Sequence, residues 1–166
     1  MIQPSKVGKA ARKLEDENIR FRTFLKMNAD PDELDEQFLA LHNELFVGYD
    51  CSKCNNCCRE YSTELSEGEV AAIALFLGLA KQDLFEKYLT ESTEGAELEA
   101  PCPFLKESGG CAIEACKPSS CRDFPHTNKP DRLISMLGVL SFAKVCPVVF
   151  EILERLKKIY RFKTRR

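Results

Sequence analysis

The chain is predicted to be mainly α, a small helical domain with an irregular cysteine-rich metal-binding segment. Three observations predict this: apolar residues recur at helical spacing in several runs, no run alternates as a strand would, and the cysteines crowd where no amphipathic period is found. With 166 residues, 44% hydrophobic and 30% charged, the sequence suits one globular domain rather than a disordered chain. No stretch approaches the roughly 18 consecutive apolar residues of a membrane-spanning helix. The start, MIQPSKVGKAARKLEDENIRF, mixes acids into its bases before any apolar run and is not a secretory signal. The expected compartment is the cytoplasm.

Over residues 6–26, Val7, Ala11, Leu14, Phe21, Phe24 and Leu25 fall on one helical stripe, predicting a single amphipathic helix. Asp30 is placed to cap a second, with Pro31 at the first helical position and Glu33 where a capping box wants a carboxylate. Its stripe is Leu34, Phe38, Leu41 and Leu45, ended by Gly48, so residues 1–49 read as an N-terminal helical hairpin within the same domain. Ser66 and Glu69 announce a third helix, carrying Val70, Ile73, Ala74 and Leu77 up to Gly78. Leu84, Phe85, Tyr88 and Leu89 mark a short fourth. Residues 91–100 (ESTEGAELEA) are acidic and contain glycine, which predicts an exposed loop.

Residues 101–130 show no amphipathic period but hold cysteines, prolines and the pair Gly109-Gly110, so something other than a core is expected to order them. Residues 131–142 are apolar enough for a buried helix, and 147–160 carry Val149, Ile152, Leu153, Leu156 and Ile159 at helical spacing. Residues 50–150 are thus expected to form a cysteine-cluster metal-binding domain, and 151–166 the end of the C-terminal helix and a basic tail.

Nine cysteines in a reducing compartment point to metal rather than to disulfides, which would leave one unpaired. Cys51, Cys54 and Cys57 are separated twice by two residues, the spacing that lets a tight turn aim sulfurs at one centre. Bacterial ferredoxins take three ligands for a four-iron cluster from such a loop and a distant fourth followed by proline, a role that Cys146-Pro147 fits. Cys58 adjoins Cys57, and neighbouring side chains diverge, so it is expected to serve a second centre. Cys58, Cys102, Cys111 and Cys121 make up a second set of four, although spacing does not fix which sulfurs go together. The expected cofactor is an iron–sulfur cluster of the four-iron type or zinc.

The run Cys51-x-x-Cys54-x-x-Cys57-Cys58, then Cys102-Pro103-Phe104-Leu105, Cys111-x-Ile113, Pro118-x-x-Cys121-Arg122-x-Phe124-Pro125 and Cys146-Pro147 resembles the YkgJ-type cysteine-cluster family. That resemblance covers about residues 50 to 150 and implies zinc or iron chelation, without implying a reaction. Flagellin lysine N-methylases are similar in sharing such a cysteine box. The sequence departs from the pattern at Glu114, at Lys117 and at Cys116, an additional thiol, which makes Cys116 a doubtful ligand.

Other residues carry ordinary readings. His126 is expected to be a solvated loop histidine and His42, off its helix stripe, to be exposed. Of the cations beside cysteines, Lys53, Arg59, Lys117 and Arg122, the last is best suited to hold a sulfur or Asp123. The seven bases between residues 155 and 166 suit a helix C-terminus, and the glycine pair lacks the lysine and hydroxyl of a phosphate loop. No catalytic group is identified. The expected function is a metal-binding structural or interaction module, with an iron–sulfur enzyme or electron carrier, for example in protein methyl transfer, as the alternative. Expected partners are the metal ion or cluster and a protein; neither a membrane nor nucleic acid is expected.

Overall fold

The structure, a computed structural model, describes residues 1–93 and 95–163. The fold is mainly helical, with a three-stranded sheet and a cysteine-rich segment. It divides into two compact units, one of Met1–Tyr49 with Pro125–Arg166 and the other of Asp50–Phe124. No helix among the described residues is long and apolar enough to cross a membrane.

The first unit holds α1 (Pro4–Lys13), α2 (Glu15–Asn28), α3 (Pro31–Phe46), α9 (Met136–Phe142) and α10 (Pro147–Ile159). The single helix expected over 6–26 is therefore two. Leu14 leaves helical geometry (φ −101°, ψ 10°), so Arg12 and Lys13 fall at the end of α1 and Glu15, Asp16 and Glu17 at the start of α2. Bases at a C-terminus and acids at an N-terminus suit both helix dipoles, which favours a break there. Asp30 caps α3 by accepting from the N–H groups of Asp32 and Glu33, both at 3.0 Å, while the Glu33 carboxylate accepts from Gln37 Nε2. Phe21, Phe38, Met136, Ile152, Leu153 and Leu156 are fully buried in this unit, and α10 packs against α1, α3 and α9.

Two details differ from expectation here. His42 is half-buried, with Nδ1 2.8 Å from Thr127 Oγ1 and its ring against Phe46, and burial lowers its pKa. Ile159, placed on the apolar stripe of α10, is half exposed. Part of the basic tail is paired: Arg155 reaches Glu44 and Glu151, and buried Lys157 reaches Glu17 and Glu154. The tail beyond residue 163 lies outside the described residues.

The second unit contains α4 (Cys51–Cys54), α5 (Asn56–Glu60), β1 (Thr63–Leu65), α6 (Glu67–Leu77), α7 (Lys81–Tyr88), β2 (Thr90–Ser92), β3 (Gly95–Leu98), a 3-10 turn (Glu114–Cys116) and α8 (Ser119–Arg122). Ser66 and Glu69 complete the reciprocal capping box of α6, which Gly78 ends in the left-handed conformation (φ +66°). The loop expected over 91–100 is mostly strand. β3 is the centre of an antiparallel sheet in the order β1-β3-β2, pairing Thr63 with Leu98 and Thr90 with Glu97. Ala96 and Leu98 point inward between exposed or half-buried acids, an alternation that the four glutamates obscured.

The segment over 101–130 also departs from expectation, because Phe104 and Ile113 are buried in the core of this unit with Leu65, Val70, Ile73, Leu84 and Leu98. Two apolar side chains thus anchor a stretch in which no periodicity announces them.

Candidate metal centre

Short polar contacts bring the cysteine-bearing turns of the second unit together. Asp50 starts α4 by accepting from the Ser52 N–H at 2.9 Å, and Asn55 ends it in the left-handed region (φ 49°), which asparagine tolerates better than most residues. The chain then re-enters helix as α5, carrying Cys57 and Cys58. The buried Asn55 amide works in two directions: Nδ2 donates to the Ser52 carbonyl, and Oδ1 accepts from the Gly110 N–H at 3.1 Å. It thereby ties the Cys51–Cys54 turn to the turn that precedes Cys111. Gly109 sits at φ +88°, and a Cβ there would stand 2.8 Å from the Ser52 carbonyl oxygen, so only glycine permits this approach.

The Cys102 N–H donates to the Cys58 carbonyl at 2.7 Å, and an antiparallel bridge pairs Leu105 with Cys111. Cys121 lies in α8, which packs on β1, where Thr63 Oγ1 donates to Ser120 Oγ at 2.6 Å. None of the nine cysteines is in a disulfide.

Cys58 is the hub of the thiols. Burial is the largest influence raising the pKa of Cys51, Cys102, Cys111 and Cys121, and the negative charge of Cys58 adds to each. Cys111 acts on Cys102, and both act on Cys121, which burial above all pushes up to about 11. Every pair among Cys58, Cys102, Cys111 and Cys121 is therefore within electrostatic reach, and Cys54 acts on Cys51. Cys58 itself is brought down to about 6, first by a hydrogen bond from the Cys57 thiol, against burial, and then by Lys117 and Arg59. Cys116 is raised by burial, and among the described residues no other thiol adds to it. Cys146 belongs to the first unit, where it is buried at the N-cap of α10 and its N–H donates to the Phe142 carbonyl.

Lys117, rather than Arg122, is the cation that acts on the most thiols, with Arg59 acting on Cys58 as well. The Lys117 side chain is 29% exposed, 3.4 Å from Glu114, and its charge favours the thiolates of Cys51, Cys58 and Cys111. Arg122 is 65% exposed and reaches Asp123, Lys53 pairs with Asp50 at the surface, and Arg59 donates to the Cys54 carbonyl. His126 lies in the first unit at φ 59°, its carbonyl accepting from Arg132.

The donor chemistry fits a thiophilic metal, since eight of the nine thiols share one unit. Among the described residues, however, no three His, Cys, Asp or Glu side chains converge into a ready-made metal site. A family model described as "CxxCxxCC: putative zinc- or iron-chelating domain" matches residues 50–147. The chain belongs to the CxxCxxCC family. The match spans the whole second unit and extends through Cys146-Pro147. No curated protein and no solved structure matches the chain.

Sequence reasoning passed over Asn55 and undervalued Lys117 in this CxxCxxCC domain. The signal for Asn55 was available, because a residue between two closely spaced cysteine turns must reverse the chain, and asparagine is suited to that.

Proposed function

We propose that the protein chelates zinc or iron through a cysteine-only centre formed by Cys58, Cys102, Cys111 and Cys121, with Cys51, Cys54 and Cys57 as further donors. The observation that carries this reading is the mutual electrostatic reach of every pair among those four sulfurs, drawn from three segments of the second unit. Four thiolates suit tetrahedral zinc or a four-iron cluster equally well. Cys146, expected from its following proline as a distal ligand, falls within the residues that the family model matches.

The absence of a ready-made convergence fits a site that closes when metal binds, since metal ligation and local ordering are commonly one event. Lys117 would offset part of the charge that four thiolates concentrate there. The role we favour is that of a structural or interaction module in a reducing cytoplasm, where unpaired thiols persist.

Anaerobic purification followed by elemental analysis tests the reading. Stoichiometric zinc or iron is expected, and broad absorption near about 400 nm would identify thiolate-bound iron. Cys58→Ser, Cys102→Ser, Cys111→Ser and Cys121→Ser should each lose metal, whereas Cys116→Ser keeps it. Folded wild-type protein without either metal, after supply of both, would overturn the proposal.

A further inference from the structure

We infer that Glu69 is a positioning residue of the thiol centre, one carboxylate that holds the start of α6 with one oxygen and the Cys121-bearing α8 with the other. Oε2 accepts from the Ser66 N–H and hydroxyl, both at 2.9 Å, as the returning half of the capping box. Oε1 lies 2.8 Å from both the N–H and the hydroxyl of Ser119, the first residue of α8 and two residues before Cys121.

Local capping explains only half of this arrangement. A capping box needs a single carboxylate oxygen turned back toward its own helix. The second oxygen crosses to a segment fifty residues away in sequence and satisfies the N–H that opens α8. That N–H would otherwise lack a helical partner. Such charge-assisted bonds are the stronger kind. α8 spans four residues and has no side-chain cap from the residue preceding it, and Glu69 and the Thr63–Ser120 contact anchor it. Cys121 is carried on whatever holds α8 in place.

The inference rests on the reading of Cys121 as a ligand, but its test does not need metal. In the metal-free full-length protein, alkylation of each cysteine is followed by mass spectrometry, with Cys51 as internal reference. Glu69→Gln presents an amide N–H₂ to one of the two donor pairs, so one attachment must fail. Ser119→Pro removes both donors to Oε1 while leaving the α6 box untouched. Proline is tolerated at a first helical position, and Pro118 already has the extended backbone (ψ 146°) that must precede it. Ser66→Ala weakens only the α6 side.

Ser119→Pro is expected to speed Cys121 alkylation about tenfold or more relative to Cys51, the scale set by losing the charge-assisted hydrogen bonds to Oε1. The same variant, loaded with zinc, should release it faster to a chelator, whereas Ser66→Ala should leave both readouts unchanged. An unchanged Cys121 rate in Ser119→Pro and in Glu69→Gln overturns the inference, as does an equal rise in Ser66→Ala. If wild-type protein binds no metal while Ser119→Pro still exposes Cys121, the chelation proposal fails and the positioning role stands.

Discussion

Gly110 donates its N–H to the Asn55 side-chain oxygen at 3.1 Å, and this bond joins two turns of the cysteine centre that lie far apart in sequence. Gly109, beside it, has both a left-handed φ of +88° and no room for a Cβ against the Ser52 carbonyl. Gly109→Ala is therefore expected to lower the stability of the second unit by about 1–3 kcal/mol, the cost of a strained backbone position. Asn55→Gly removes the tie without straining the left-handed position. Urea titration of both variants, alongside metal retention, checks this, and a Gly109→Ala protein as stable as wild type would contradict it.

Cys58 and Cys121 are expected to differ sharply in reactivity in the metal-free protein. The thiolate is the nucleophile, so Cys58, brought down to about 6, should alkylate readily at neutral pH, and Cys121, pushed up to about 11, should not. A site-resolved pH–rate profile measures both. Equal rates at pH 7 would show that the Cys57–Cys58 contact does not form in solution.

Lys117 should act on that profile through its charge. Burial lowers the lysine's own pKa, but Glu114 and the thiols raise it further, so the ammonium is retained. Lys117→Gln is expected to move the Cys58 inflection upward and slow its alkylation at pH 7 several-fold, with Lys117→Arg close to wild type. No movement in Lys117→Gln would place the ammonium away from the sulfurs.

Glu69 predicts an acid-sensitive contribution to folding. Burial would raise its pKa, but bonds from Ser119 and Ser66 outweigh that and bring it down to about 2 from 4.5. A depressed carboxylate stabilises the fold fully above its unfolded value, and the effect is lost as pH falls from 4.5 through about 2. The difference in urea midpoint between metal-free wild type and Glu69→Gln should therefore be constant above pH 5 and shrink toward zero near pH 2. A difference that persists unchanged at pH 2 would mean that ionisation of Glu69 is not its source.

The helices were legible where local chemistry declares itself. Asp30-Pro31, the Ser66–Glu69 box and Gly78 set boundaries that the structure keeps. The break at Leu14 was hidden because its apolar stripe continues across it and only the reversal of charge marks the division. β3 was hidden because Glu97 and Glu99 read as loop, and a strand so short is stabilised by neighbours remote in sequence. The cysteine spacing announced metal chemistry and allowed Cys58, Cys102, Cys111 and Cys121 as one set of four, but it could not fix that grouping. That grouping depends on how the turns at Asn55, Gly109 and Ser119 are tied, and each tie joins residues about fifty or more positions apart.

The first unit is assembled from both ends of the chain, with residues 50–124 running between its two parts. For that unit the whole cysteine module is, in polymer terms, one long loop, and the entropy of closing a loop rises only about 0.6 kcal/mol for each doubling of its length. When the intervening residues are slack, the helices that flank them therefore bear a closure entropy that depends only weakly on how many residues lie between.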